Sequence, residues 1–147
     1  MSSREALRTF VLDASLAVAW CFEDETTNYT EGVFDRLTEG AEALVPPLWP
    51  YEVANSLAVA ERRKRTTSAK VAGFLVRLAK LPISLDSVAG TQFGRAFGEV
   101  LSLARQYRLS AYDAAYLELA WRLGLPLASL DQGLKTAAKA AGVELMV

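Results

Sequence analysis

Short apolar runs alternate with longer helical patterns along the 147-residue chain, and this alternation limits the fold more than any other feature. Strands that are separated by helices favour a parallel sheet with helices packed on both of its faces. We therefore predict an α/β fold, a three-layer α/β/α domain with a central parallel sheet. No internal repeat or long linker divides the chain, so residues 1–147 are predicted to form a single domain.

Glycine and proline residues mark most ends of the predicted elements. The predicted strands are Thr9 to Leu12, Ala43 to Val45, Ile83 to Leu85, Leu127 to Leu130 and Val143 to Val147. The predicted helices are a segment directly after Asp13, Tyr29 to Glu39, Tyr51 to Arg65, Ser68 to Lys80, Thr91 to Tyr107, Ser110 to Leu123 and Gln132 to Ala141.

The composition excludes several kinds of catalytic site. The chain has no histidine, which excludes Ser–His–Asp and Cys–His catalysis as well as histidine-bound zinc. A single cysteine, Cys21, cannot form an internal disulfide and fits a reducing compartment. The net charge of −1 gives no overall attraction for nucleic acid, so any such binding needs local patches or a metal ion.

The N-terminal region has some features of a signal peptide. Arg4 and Arg8 precede an apolar run that contains the small residues Ala17 to Ala19. Asp13 interrupts this run, however, and Phe10 to Phe22 is too short to cross a bilayer. We therefore predict a cytoplasmic protein with no membrane association.

Acidic residues fall where an α/β sheet binds its ligands. Asp13 and Asp131 each follow a predicted strand, and ligands of open parallel sheets bind at the carboxyl ends of the strands. Asp113 lies on a helix whose other charged residues, Glu118 and Arg122, have the spacing of an exposed ion pair. Because Asp113 points roughly 160° away from that pair, we expect it to face inward.

A fourth acid, Glu52, shares one helix face with Asn55, Ser56 and Arg63, and this polar face suits the wall of a cleft. Several carboxylates at one sheet edge repel each other strongly unless a cation lies among them. Ligand sets made only of oxygen atoms favour Mg²⁺ or Mn²⁺ over zinc. The acids therefore predict a site for one of these metals.

Each acid also has a purely structural explanation, and these explanations remain open at this point. Asp13 and Asp131 are well placed to cap the helices that follow them. Ser110 to Asp113 matches a capping box, and Glu52 suits an ordinary exposed helix face. A carboxylate that caps a helix can still bind a metal.

Four segments carry a resemblance to a known family: FVLDAS, PPLWPYEVANSL, LSAYDAAYLELA and LASLDQGLKTAAKAAGV. They occur in the order and approximate spacing of PIN-domain ribonucleases, and more closely resemble the VapC-type toxins of toxin–antitoxin pairs. The resemblance covers residues 9–147 and implies a PIN-like fold. It implies that Asp13, Glu52, Asp113 and Asp131 bind Mg²⁺ or Mn²⁺ and act in catalysis.

The same resemblance implies supporting roles for three polar residues. Ser15 and Ser129 fall where the family often has a hydroxyl near the metal or the scissile phosphate, although threonine is frequent at the position of Ser129. Asn55 matches a polar position that commonly supports the site.

The implied activity is the hydrolysis of RNA phosphodiester bonds by a metal-dependent endoribonuclease. One or two metal ions would activate water and stabilise the departing 3′ oxygen. The resemblance also implies a cognate VapB-type antitoxin that blocks the cleft, and often a homodimer.

Two other functions are weighed against this one. A catalytically silent PIN-fold module that binds RNA or protein would not need the complete set of acids. An α/β phosphatase of the dehalogenase type needs a second aspartate at the position of Ser15, and Asp86 is a poor phosphate acceptor for a receiver domain.

The basic run Glu61 to Arg65 suits a solvated helix end, or alternatively a contact with phosphates or the antitoxin. Six aromatic residues are expected to pack in the core or at a dimer interface, with base stacking as the alternative. They are Trp20, Phe22, Trp49, Tyr51, Tyr112 and Tyr116.

Overall fold

A computed structural model describes residues 8–86 and 92–147, with the side chain of residue 92 left out. Arg4 and Thr91, which entered the predictions above, lie outside the described residues. Four parallel strands form one sheet in the order β3-β2-β1-β4. The strands are β1 (Phe10–Leu12), β2 (Ala43–Val45), β3 (Ile83–Leu85) and β4 (Leu127–Ala128).

Helices connect the strands and flank the sheet, which confirms the predicted α/β architecture. They are α1 (Ala14–Ala19), α2 (Asn28–Thr38), α3 (Trp49–Arg62), α4 (Ser68–Leu78), α5 (Gln92–Arg95), α6 (Leu101–Tyr107), α7 (Ala111–Leu123) and α8 (Gln132–Ala140). A π-helical segment, Ala96–Val100, joins α5 to α6, and a short 3-10 turn covers Glu23–Glu25.

Local sequence accounts for several helix ends. Thr27 and Thr30 form a capping box at the start of α2, each hydroxyl accepting a hydrogen bond from the backbone N–H of the other. Thr67 caps α4 through the backbone N–H of Lys70. Gly124 ends α7 in the left-handed region at φ 65°, which glycine adopts without a steric penalty.

The core lies around the central strand β1, all of which is buried. Tyr116 and Leu119 of α7 are also buried, as are Val33 and Leu37 of α2. Burial on both faces explains why β1 is a continuous apolar run rather than an alternating one. The strand ends at Leu12, and Asp13 is the first residue beyond it, at the edge of the sheet.

The predicted last strand, Val143 to Val147, is wrong as an extended element. Leu145 forms only an isolated parallel bridge with Leu127. Two backbone hydrogen bonds support it, from the N–H of Leu127 to Glu144 and from the N–H of Met146 to Leu127. The partner strand β4 has only two residues, so there is no further backbone with which the segment can pair.

No helix within residues 8–86 and 92–147 is both long enough and apolar enough to cross a membrane.

Candidate acidic site at the sheet edge

The carboxyl ends of the four strands lie along one edge of the sheet, because all the strands are parallel. Asp13 follows β1, Ser129 follows β4, Pro46 follows β2 and Asp86 follows β3. The end of the central strand therefore places Asp13 in the middle of this edge.

Asp13 is held by two serine hydroxyls. It is 5% exposed, and its Oδ2 accepts hydrogen bonds from Ser15 Oγ and from Ser129 Oγ, both at 2.7 Å. Asp13 occupies the position before α1, but its side chain does not cap the helix. The capping explanation for Asp13 is therefore wrong, and the predicted grouping of Asp13 with Ser15 and Ser129 is present in the structure.

Asp131 does cap its helix. Its Oδ1 accepts a hydrogen bond of 2.8 Å from the backbone N–H of Leu134 in α8. The backbone N–H of Asp131 donates to Ser129 Oγ at 2.9 Å, so this one hydroxyl links Asp13 and Asp131. The capping explanation is confirmed for Asp131, which remains exposed beside the buried Asp13.

Glu52 and Asp113 enter the same region from α3 and α7. The Oε1 atom of Glu52 accepts a hydrogen bond of 2.6 Å from the hydroxyl of Tyr116. The backbone N–H of Asp113 donates to Ser110 Oγ at 3.0 Å, which is the first half of the predicted capping box. Both carboxylates are half-buried.

Electrostatics show that the four carboxylates share one region, which we call the acidic site: Asp13, Glu52, Asp113 and Asp131. Burial is the main cause that raises the pKa of Asp13, and the charge of Asp131 raises it further. Burial also raises the pKa of Glu52, with smaller contributions from the charges of Asp13 and Asp113. The pKa of Asp113 is raised by burial and then by the charges of Asp131 and Asp13.

The acidic site fits a hard divalent cation in its chemistry. Its side chains offer only oxygen ligands, and a cation would relieve the mutual repulsion that adds to the effect of burial on the three pKa values. Within residues 8–86 and 92–147, however, no three acidic side chains are positioned closely enough to hold a metal ion as they stand. The acids are thus gathered at one edge, and metal binding would have to draw them closer together.

Tyr116 is a site residue that the sequence interpretation treated only as packing. Its ring is completely buried, and burial together with the hydrogen bond to Glu52 raises its pKa well above the usual range. The hydroxyl therefore stays protonated and serves as a donor to Glu52. The spacing could have identified it, because Tyr116 follows Asp113 by three residues and lies on the same face of α7.

The prediction that Glu118 and Arg122 form an exposed pair is wrong. Glu118 is 4% exposed and accepts a hydrogen bond of 2.7 Å from Arg122 Nε. Arg122 also donates to Asp86 at 2.6 Å, and Asp86 accepts from Arg95 at 3.1 Å. We call these four residues the arginine-paired cluster. Asp86 approaches from β3, a partner that the local pattern of α7 cannot reveal.

The remaining polar candidates lie on the exposed surface of α3 and of the residues that follow it. Asn55 is exposed and lines a shallow cleft with Ser56 and Arg63. In the run Arg62 to Arg65, Arg65 pairs with two acids of the 3-10 turn and lies 4.2 Å from the centre of the Phe22 ring. Arg65 therefore has a structural role.

The aromatic residues divide into buried and exposed groups. Phe22, Trp49 and Tyr116 are buried as predicted, and Trp20 is half-buried. Tyr51 and Tyr112 are 79% and 65% exposed, so packing in the core of this chain is wrong for these two.

Comparison with known proteins identifies both the family and the fold. A family model described as "PIN domain" matches residues 10–140. The crystal structure of PAE2754 from Pyrobaculum aerophilum has a similar fold, with a TM-score of 0.64 and 22% sequence identity. The match covers 88% of this chain and 85% of that one. No curated protein matches the chain in sequence.

Proposed function

The chain belongs to the PIN domain family, and on that premise we propose that it is a Mg²⁺- or Mn²⁺-dependent endoribonuclease that acts as the toxin of a toxin–antitoxin pair. PIN domains are generally metal-dependent nucleases, which supports hydrolysis of a phosphodiester bond as the reaction. The choice of RNA and the toxin role rest on the four sequence segments that resemble VapC-type toxins.

The observation that carries the proposal is the uncompensated negative charge of the acidic site. None of the ion pairs in the described part of the chain involves Asp13, Glu52, Asp113 or Asp131. A buried carboxylate without a cation is costly, and Asp13 is almost completely buried. A divalent ion supplied from outside the chain would compensate this charge.

In the proposed mechanism the four acids would hold the metal, and neighbouring hydroxyls orient two of them, Asp13 and Glu52. When bound, a divalent ion supplies Lewis-acid stabilisation at the phosphate and makes water a better nucleophile. Ser15 and Ser129 fix the orientation of Asp13, and Tyr116 fixes Glu52. This chemistry needs no histidine as general base, which agrees with the composition.

Hydrolysis in this mode adds water across the bond between phosphorus and the 3′ oxygen. The products are a 5′-phosphate and a 3′-hydroxyl. The proposed partners are the RNA substrate, a VapB-type antitoxin that blocks the cleft, and a second copy of the chain in a homodimer. The proposed compartment is the cytoplasm, which agrees with the single unpaired Cys21.

The test is cleavage of end-labelled structured RNAs by the protein without antitoxin, in Mg²⁺, in Mn²⁺ and in EDTA. We expect discrete fragments in either metal and none in EDTA. The double variant Asp13→Asn/Asp113→Asn should lose about 1,000-fold in rate, since even outer-shell changes at metal sites cost about 10- to 100-fold each. Asp35→Asn on α2, an exposed acid away from the sheet edge, is the matched control and should cleave like the wild type.

A catalytically silent binding module is the second candidate, and one observation favours it. No three acids of the described residues are placed to hold a metal. The cleavage assay separates the two functions. RNA binding with no metal-dependent cleavage of any RNA by the wild type would favour the binding module, and equal cleavage by the double variant would reject the assigned acids.

A further inference from the structure

A cavity of about 470 Å³ lies next to the acidic site on the same edge of the sheet. Its lining includes Pro46 to Leu48, which follow β2, and Asp86, which follows β3. In the strand order β3-β2-β1-β4 these positions are one and two strand spacings from Asp13, or roughly 5 to 10 Å. Tyr112, which also lines the cavity, directly precedes Asp113 in α7.

Two exposed aromatic rings stand at this cavity. Phe97 is 73% exposed and belongs to the π-helical segment, and Tyr112 is 65% exposed. The ring of Phe97 stacks on that of Phe93, with centroids 5.9 Å apart and planes at 15°. The contact with Phe93 orients the ring of Phe97 and leaves much of it exposed. Contiguous exposed apolar patches with a polar rim mark interaction or ligand-binding surfaces.

The rest of the lining combines apolar walls with a charged end. Val100, Leu101 and Leu119 contribute apolar surface, whereas Asp86, Arg95 and Glu118 of the arginine-paired cluster contribute charged groups. A largely apolar cavity with a few fixed polar groups is the usual form of a small-molecule site.

We propose that this cavity binds an unpaired RNA base of a nucleotide adjacent to the scissile phosphate, an inference that rests on the proposed ribonuclease function. Single-stranded RNA is recognised by stacking its bases on aromatic rings and by hydrogen bonding to their polar edges. The cavity offers both features. Its distance from Asp13 suits a base whose own phosphate lies at the acidic site.

The charged end of the cavity favours a base over an apolar segment of a protein. Asp86, Arg95 and Glu118 are already paired within the arginine-paired cluster, but Asp86 and Arg95 keep 12% and 20% of their side chains exposed. An apolar side chain would cover these exposed parts without replacing their contacts with water. The edge of a base has donors and acceptors that match carboxylate and guanidinium groups. The arginine-paired cluster thereby becomes the part of the cavity that distinguishes one base from another.

Binding is tested with fluorescein-labelled RNA octamers of A, C, G or U by fluorescence anisotropy. The background is Asp13→Asn/Asp113→Asn, which prevents cleavage and leaves the residues of the cavity unchanged. Two substitutions remove the stacking surfaces, Tyr112→Ala and Phe97→Ala, and Ala115→Phe fills the cavity instead. Trp121→Ala is the matched control, because Trp121 is a 53% exposed aromatic residue of the same helix that does not line the cavity.

We expect the background protein to prefer one octamer. Tyr112→Ala should raise its Kd by about 5- to 150-fold, the range measured for loss of one base–aromatic stack. Ala115→Phe should raise the Kd at least as much, and Trp121→Ala should leave it unchanged. Circular dichroism melts confirm that each variant folds, and sedimentation gives its mass.

Three results would overturn the inference. The first is an octamer affinity that neither Tyr112→Ala nor Ala115→Phe changes. The second is a background protein that binds no octamer. The third is a loss of affinity that occurs only when a substitution converts a dimer to a monomer. The last result would assign the cavity to a second copy of the chain.

Cleavage by the otherwise wild-type protein, measured in parallel, separates this inference from the proposed function. Metal-dependent cleavage that is unaffected by the cavity substitutions would reject the base site and keep the ribonuclease. Cavity-dependent binding without any cleavage would keep the base site and reject the ribonuclease.

Discussion

Two groups of carboxylates lie along one sheet edge and are compensated in different ways. In the arginine-paired cluster, beyond β3, Asp86 and Glu118 receive short hydrogen bonds from two guanidinium groups of the same chain. In the acidic site, beyond β1, the buried Asp13 receives its hydrogen bonds from neutral groups, among them the hydroxyls of Ser15 and Ser129.

The difference shows what hydroxyl and guanidinium donors can each do for a buried acid. A hydroxyl fixes the orientation of a carboxylate but brings no positive charge, so burial still raises the pKa of Asp13 despite its two serine donors. A guanidinium group brings both the hydrogen bond and the charge. The chain therefore compensates one cluster by itself, and in the proposed function an external cation compensates the other.

Removing the guanidinium group of Arg122 is expected to have the largest effect on stability. Arg122→Met leaves the carboxylate of Glu118, whose side chain is 5% exposed, without its cation. Breaking a buried pair in this way costs about 3 kcal/mol, equivalent to roughly 6–12 °C in Tm for a chain of this size. Thermal unfolding followed by circular dichroism measures the loss.

Arg65→Met provides the contrast for that experiment. The pairs of Arg65 with Asp24 and Glu25 are exposed, so their loss should cost less than about 1 kcal/mol. The double variant Glu118→Gln/Arg122→Met should recover part of the stability that Arg122→Met loses. Equal losses for Arg65→Met and Arg122→Met would contradict the distinction between a buried and an exposed pair.

Metal binding is expected to have the next largest effect, a gain in stability slightly smaller than the loss expected for Arg122→Met. Mn²⁺ at 100 times its Kd adds about 2.7 kcal/mol if it binds only the native state, which raises Tm by roughly 5–10 °C. Asp13→Asn should lose this shift. Glu118→Gln, which alters a buried acid of the other cluster, should retain it, and an unchanged shift in Asp13→Asn would refute the assignment of the metal to the acidic site.

The smallest expected effect is a dependence of stability on pH without metal. Since the folded-state pKa of Asp13 is raised, its contribution to stability is present at low pH and is lost as pH rises through that pKa. In EDTA at pH 7, Asp13→Asn should therefore melt higher than the wild type, by roughly 2–4 °C for each kcal/mol of difference. The difference should shrink as the pH falls through about 4, because the Asp13 carboxylate of the unfolded chain then becomes protonated as well.

Melting curves over this pH range, repeated with Mn²⁺, check the sign. With the metal bound, the order of the two proteins should reverse at pH 7. An Asp13→Asn variant that is less stable than the wild type in EDTA at every pH would show that the two serine hydrogen bonds outweigh the cost of burial.

The sequence predicted those features that depend on local pattern. The first three strands and the helix starts follow from apolar runs bounded by glycine, proline and capping residues. Asp13 and Asp131 were predicted at the sheet edge because each directly follows a predicted strand. This is confirmed for Asp13, whereas the predicted strand Leu127 to Leu130 ends at Ala128, two residues too early to reach Asp131. The local pattern could not predict that Arg122 pairs with Asp86, because Asp86 follows β3 and is 36 residues away in the chain.

The local sequence pattern also could not predict which aromatic residues are exposed and which are buried. Tyr112 and Tyr116 lie four residues apart on α7, yet the first is exposed at the cavity and the second is buried beneath Glu52. The helix period places the two residues on similar faces. What separates them is the boundary of the packed core, which depends on where β1 and α3 lie in space.

The π-helical segment Ala96–Val100 has a consequence for the evolutionary history of this part of the chain. A π turn contains one more residue than the α turn that it replaces, so it is equivalent to a single-residue insertion that the helix has absorbed. Residues on its two sides are then out of phase by about 100° relative to a regular helix. Alignments of relatives should therefore need a one-residue gap at this point, and lineages without the extra residue should turn a different side chain toward the cavity than Phe97.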